Sequence, residues 1–409
     1  MYLDLRLFDI FDGNLYLDTI QLENPSVTLN RDIINGLSNT SVVTNNDLLP
    51  IKSLIIKSCE IRNGSFHYAE QAETVDLRGI SLTTGEITAV SNNKLSVADA
   101  GEFFNAIRFN GELSMGSVLL QELELENIQA NLDKADRILK LNPLKLDYFG
   151  ESAQLIGSIE LQDEGFSLRF NGSIPELDLG RFIKRTEKLD VVTGKLQVQG
   201  ELATQGNTIA GMLQNLDGGL VITGHDLTLS GIDLDKTFDE FNKMKKIGTS
   251  DVVTLLTLGP LFSMFNHAYN QLEILKQIIE VKGDSVVTAV VSKWKVGRGA
   301  VSVEDVAFVT QRHRIALGGA IDFIDEKFMN LTLASVDAAG CIINSETVNG
   351  TFSEPKVEEL GLFKRTIVLT LRRKYKPECS LFYEGSLEHP ELQDKAIEGS
   401  DRQKAERER

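Results

Sequence analysis

Apolar and polar residues alternate one for one through most of this chain, and a period of two fits a strand with one buried and one wet face. The pattern is plain at Leu3/Leu5/Leu7, Ile20/Leu22, Leu113/Met115, Leu123/Leu125, Phe166/Leu168/Phe170 and Met329/Leu331/Leu333. Most of these runs predict short strands of about four to six residues. Between them, Asp12-Gly13, Asn35-Gly36, Asn63-Gly64, Asn110-Gly111, Asn171-Gly172, Asp217-Gly218 and Asn349-Gly350 read as hairpin turns, because these dipeptides accept positive φ. Helix-length segments between strands are scarce, so a doubly wound parallel sheet is not expected. The predicted fold is mainly β, an antiparallel sheet with a few helices packed on or in it.

Helical periodicity concentrates in one region. A polar-led helix is expected from Asp235 through Phe238, Phe241 and Met244 to near Gly248, and Leu258, Phe262, Phe265, Tyr269, Leu272 and Ile279 form an apolar stripe on a second. That stripe reads first as core packed on the sheet, and otherwise as a lid or membrane-surface element. Shorter helices are expected over Leu179 to Leu189, Asp133 to Leu139 and Val357 to Arg373. The predicted division is 1–231 for the first part of the sheet, 232–280 for the helical segment, 281–390 for further strands and a short helix, and 391–409 for a disordered charged tail.

With 409 residues, 42% of them hydrophobic, the chain can bury a sizeable core. A net charge of -17 repels nucleic acid and anionic lipid head groups alike, so no nucleic-acid partner is expected. Cys59, Cys341 and Cys379 lack zinc or redox spacing and read as small apolar residues. The first residues lack the basic and apolar regions of a signal peptide, and the apolar run from Val252 to Phe265, broken by Gly259-Pro260, is too short for a bilayer span.

No catalytic constellation emerges. HExxH, GxSxG, P-loop and EF-hand patterns are absent, and Gly297-Arg298-Gly299 reads as a turn. The five histidines are scattered, with His313 expected at a surface or turn. Glu122, Glu124 and Glu126 alternate with Leu123 and Leu125 and so belong to a solvated face, with no general acid and base pair to be named. Lys364-Arg365 and Arg372-Arg373-Lys374 read as cations opposing a helix dipole, with lipid phosphate as the other reading. No cofactor, metal or catalytic residue is expected, and the chain is read as no enzyme.

Several stretches resemble the AsmA family. They are Leu3 to Arg31 with Ile20-Gln21-Leu22-Glu23-Asn24-Pro25, Ile61 to Tyr68 followed by Val75 to Leu82, and Tyr148-Phe149-Gly150 before a Gly-led strand. Gly218-Gly219-Leu220 through Gly231-Ile232-Asp233-Leu234 and Val348-Asn349-Gly350-Thr351-Phe352-Ser353-Glu354-Pro355-Lys356-Val357 complete the set, in family order over nearly the whole chain. The resemblance implies an elongated, U-shaped β-groove with an apolar interior, anchored in the inner membrane and extending into the periplasm. It also implies a role in moving phospholipid toward the outer membrane. The sequence departs from that pattern in lacking the family's anchor helix, and a truncated gene model or a fragment is expected.

Read from the residues alone, the apolar face needs a cover, because leaving on the order of 20 such side chains wet forgoes tens of kcal/mol. The sheet closes on itself, packs on helices or holds apolar ligand. Acyl chains suit such a face because they need area and no placed polar groups. Phe166, Leu168, Phe170, Leu196, Val198, Leu220 and Ile222 are the candidate lipid contacts. The expected partners are phospholipid or another acyl lipid, the inner membrane with the outer membrane as a further candidate, and envelope proteins. The alternative is a scaffolding protein that affects outer-membrane protein assembly without carrying lipid.

Overall fold

A computed structural model describes residues 2–5, 14–30, 52–70, 73–90, 104–120, 123–148, 150–163, 165–181, 192–231, 233–242, 283–358 and 379–392. The strands are β1 (Tyr2–Leu5), β2 (Asn14–Glu23), β3 (Ser26–Asn30), β4 (Ser53–Glu70), β5 (Glu73–Thr84), β6 (Ile87–Val90), β7 (Ile107–Leu120), β8 (Leu123–Ala135), β9 (Ile138–Tyr148) and β10 (Glu151–Gln162). They continue as β11 (Gly165–Asp178), β12 (Val192–Gly206), β13 (Asp217–Leu229), β14 (Ser285–Gly297), β15 (Ala300–Val309), β16 (Arg314–Asp322), β17 (Lys327–Val336), β18 (Ile342–Thr351) and β19 (Pro355–Glu358). Among the described residues, helices α1 (Ile209–Gln214) and α2 (Leu234–Asn242) lie between them.

The chain divides into two compact units, Met1–Ile174 with Glu201–Met212, and Pro175–Gly200 with Leu213–Arg409. In the first, β7 to β11 form an antiparallel meander, and β4 lies antiparallel to β5. Strands β2 and β3 instead run parallel to β4. In the second unit, β13 to β19 each pair antiparallel with the next. The mainly β, mainly antiparallel reading of the sequence is correct.

Strand length and turn positions differ from expectation. The strands reach 18 residues in β4, and Asn63-Gly64, Asn110-Gly111, Asn171-Gly172, Asp217-Gly218 and Asn349-Gly350 lie inside strands. The cause is a line of left-handed residues across the first unit. Asn24 (φ 49°), Asn63 (φ 52°), Gly79 (φ 65°) and Asn127 (φ 50°) occupy it, and Asn63 Nδ2 donates to Asn24 Oδ1 at 2.6 Å. Gly79 and Asn127 both neighbour Gly116 in the register of β5, β7 and β8. A left-handed residue breaks the two-residue alternation of a strand. The apolar phase therefore changes from Ile61 to Phe66, from Leu82 to Leu77 and from Ile128 to Leu125, and one long strand reads as two short ones. The second unit repeats the device at Gly319 (φ 105°), Asn330 (φ 48°) and Gly350 (φ 92°).

Other dipeptides make the turns. Arg298 (φ 50°) and Gly299 (φ 73°) join β14 to β15, as the reading of Gly297-Arg298-Gly299 anticipated. Asp136 (φ 49°) turns β8 into β9, so the helix expected over Asp133 to Leu139 is instead two strand ends and a turn. A hairpin there lets Leu132 and Leu141 pair across the strands, which a helix would forbid. Val357 and Glu358 begin no helix, since in β19 they pair with Val348 and Thr347 of β18; residues 359–373 of that predicted helix lie outside the described residues. The helix from Asp235 is present as α2, and residues 179–181 are helical, with the continuation of each outside the described residues. The stripe from Leu258 to Ile279, the basic clusters at 364–374 and the tail from 393 lie outside them as well.

The cysteine reading needs correction too. Cys341 and Cys379 form a disulfide, with Cα atoms 5.3 Å apart, across a sequence separation of 38. Proximity created by the fold, invisible in the spacing, makes the bond. Cys59 is the remaining free thiol and is half-buried, and burial raises its pKa.

Candidate functional site: an apolar sheet face

Cross-strand register assembles the apolar residues of the first unit into rows. One row runs Leu22, Ile61, Leu82, Leu113, Ala130, Leu144, Leu155 and Gly172, crossing eight strands. The next runs Ile20, Cys59, Thr84, Gly111, Leu132, Leu141, Gly157 and Phe170. Gly157 is needed where it stands, because a Cβ there would lie 2.5 Å from the Phe170 ring. Leu141 and Leu144 belong to one cluster although their numbers differ in parity, because the bulge at cis Asn142-Pro143 restores the phase.

The cover on this face is partial. Ala130, Leu132 and Leu141 are buried, whereas Leu82, Leu113, Leu139, Leu144, Ile159 and Phe170 are only half-buried and Phe166 is 41% exposed. Covering each half-buried side chain would contribute roughly 1 kcal/mol, about half the value for full burial. Phe166, Leu168 and Phe170 face Leu161, Ile159 and Gly157 in register, so three of the sequence's candidate contacts lie on this face.

A third row holds a charge among the apolar side chains: Phe109, Lys134, Leu139, Ile159, Leu168. Lys134 is 2% exposed. Its ammonium donates to the carbonyls of Ile107, at 3.3 Å, and Asp136, and it lies 4.2 Å from the centre of the Phe104 ring. Desolvation lowers its pKa, against the pull of Asp136. The Asp136 carboxylate pairs with Arg108, and Arg137 pairs with Asp163 at 2.7 Å, so three cations gather where β8 turns into β9. Sequence reasoning missed Lys134, although it continues the apolar phase of Ile128, Ala130 and Leu132; a helix assigned over 133–139 hid that phase.

The second unit treats its sheet differently. Leu196, Val198, Leu220 and Ile222 belong here: Leu196 Cδ2 would lie 2.5 Å from a Cβ on Gly224, and Leu220 Cδ1 3.3 Å from one on Gly200. Leu196 and Ile222 are buried at 3% and 2% exposure, and Val198 and Leu220 are half-buried. The candidate contacts thus form two groups, one in each unit. Helix α2 packs Phe238 against Phe308, 5.8 Å between ring centres, and Phe241 O accepts from Asn344 Nδ2 at 2.7 Å. The other face, small at Ala307, Ala316 and Ala334, receives Tyr383 from the segment that Cys379 tethers, with Phe382 against Gly318. Asp239 on α2 pairs with Arg312 at 2.7 Å and with His313 at 3.1 Å, which makes His313 a structural turn residue. Burial pushes the Asp239 carboxyl up, but these partners outweigh it and hold the carboxyl below its usual range.

Among the described residues no group of His, Cys, Asp and Glu is placed to hold a metal ion, and no helix is long and apolar enough to cross a membrane. The family model that matches the chain is that of the AsmA family, over residues 83–255. Over that span the chain is AsmA-like. The AsmA match runs from the end of β5 past α2, and so includes the Lys134 row and all seven candidate contacts. No curated protein and no solved structure matches the chain.

Proposed function

We propose that this AsmA-like protein is a non-enzymatic envelope component that binds or conducts acyl lipid along the apolar face of its first unit, on the periplasmic side of the inner membrane. The observation that carries the proposal is the half-buried rows spanning β2 to β11, whose apolar side chains are aligned in register but incompletely covered. Acyl chains satisfy such a surface by area alone, at about 0.8 kcal/mol per methylene buried. The Cys341–Cys379 disulfide supports the compartment, because structural disulfides persist in the periplasm and are rare in the cytosol. Phospholipid is the proposed cargo, the family's groove the proposed arrangement, and membranes and envelope proteins the proposed partners.

The test uses purified protein and phosphatidylethanolamine–phosphatidylglycerol vesicles, with native mass spectrometry as the readout. Bound lipid is expected, as is protection of Cys59, which sits in the second row, from thiol alkylation. No uptake and no change at Cys59 would refute the proposal. Leu168→Glu is expected to abolish uptake in a protein that still folds, whereas Ile222→Glu is expected to unfold the second unit.

The second unit favours a second reading, because helix α2 and the tethered segment pack on its sheet as a scaffold's own elements would. A folded chain that takes up no lipid yet alters outer-membrane protein assembly when deleted would support scaffolding instead.

A further inference from the structure

We infer that Lys134 is the binding residue for the anionic head of an acyl lipid, a phosphate or a carboxylate, at one end of the apolar face; this rests on the lipid-binding reading above. Lys134 stands between Phe109 and Leu139 in a row that continues to Ile159, so a chain lying over Leu139 and Ile159 meets the ammonium. A desolvated ammonium among apolar side chains is costly unless it meets a counter-charge. Among the described residues no carboxylate bonds to it: its two hydrogen-bond partners are the uncharged carbonyls of Ile107 and Asp136, and the Asp136 carboxylate, which attracts it without an ion pair, is paired with Arg108.

The donor count points the same way. An ammonium has three N–H groups, and these carbonyls accept two, which leaves one for a ligand oxygen. Arg137, in the turn beside it, has a buried Nε without a hydrogen-bond partner, a second donor at the same rim. The Phe104 ring sits over the ammonium, and an arriving head group takes its place. Elsewhere a chain of net charge -17 repels anions, so a buried cation on the apolar face selects where an anionic head comes to rest.

A lysine that merely ties the β8–β9 turn predicts something different, and two substitutions separate the roles. Lys134→Gln keeps an N–H donor for the carbonyls and removes the charge. Lys134→Arg keeps the charge. Equilibrium binding is measured with two ligand pairs, oleate against oleyl alcohol and dioleoylphosphatidic acid against dioleoylglycerol, which tell carboxylate from phosphate. The wild type is expected to prefer the anionic member of at least one pair by on the order of tenfold. Lys134→Gln is expected to lose that preference while still binding the neutral lipid, and Lys134→Arg to retain it.

Equal binding within both pairs by the wild type, or a preference that survives Lys134→Gln, would overturn the inference and leave the lipid-binding reading standing. Failure of the wild type to bind any of the four ligands would remove that reading itself, and the inference with it. If Lys134→Gln does not fold, the Lys134 side-chain nitrogen resonance in wild-type protein decides. A shift with the anionic ligand and none with its neutral partner supports the role, and equal responses refute it.

Discussion

The Tyr383 hydroxyl donates to Asp305 Oδ1 at 2.8 Å and accepts the Leu387 N–H at 3.1 Å, so one oxygen ties the C-terminal segment to β15 and to itself. Asp305 also accepts from Ser386 N at 2.9 Å, and Arg314 stacks on the Tyr383 ring while donating to Leu387 O at 2.8 Å. Tyr383→Phe keeps the ring and removes the bridge, leaving the Leu387 N–H without its acceptor. A loss of about 1–2 kcal/mol in urea unfolding is expected, with the strand signal in circular dichroism unchanged.

The same hydroxyl gives the protein an alkaline limit. Burial, set against the Leu387 N–H and aided by Asp305, raises the Tyr383 pKa to about 12. The folded state therefore keeps this proton after the unfolded chain has lost it at about 10. The stabilisation is complete below the unfolded value and is lost as pH rises from there through the folded one. Urea midpoints should fall across that window in the wild type, and less steeply in Tyr383→Phe.

The disulfide closes a loop with a sequence separation of 38, for which chain entropy alone predicts about 4 kcal/mol. The Cys341→Ser, Cys379→Ser double variant should lose up to that amount in denaturant unfolding, and reductant should destabilise the wild type but not the variant. Thiol titration of unfolded wild-type protein should count Cys59 alone before reduction. An unchanged midpoint with the pair reduced would contradict this account.

Gly79 and Gly116 are neighbours on adjacent strands, yet only Gly79 has a left-handed φ, 65°. A Cβ on Gly79 would also lie 3.2 Å from Gly116 N, whereas one on Gly116 meets nothing nearer than Arg78 O at 3.5 Å. Gly79→Ala should therefore cost about 1–2 kcal/mol more than Gly116→Ala, as read by chemical denaturation. Equal costs would mean that the row of left-handed residues is not what sets the phase of these strands.

Asn63-Gly64 shows why the fold was only half legible. The dipeptide announces a left-handed residue, and Asn63 is one, but whether positive φ ends a strand or bulges it depends on the strands alongside. Lys134 carried the same difficulty. Its phase matched Ile128, Ala130 and Leu132, while its meaning depended on Phe109 and Leu139 beside it and on Phe104 over it. The candidate contacts were recognised as apolar strand residues, yet Leu168 and Ile222 read alike although one is half-buried and the other 2% exposed.

The amino-acid sequence by itself determined that the chain forms strands with one apolar face, because alternation is a local property that each strand carries in its own residues. Tertiary structure alone decided which strands fuse across bulges, which cysteines meet, and which part of the apolar face is sealed. Those outcomes depend on register and contact between residues far apart in the chain, and no local period encodes them.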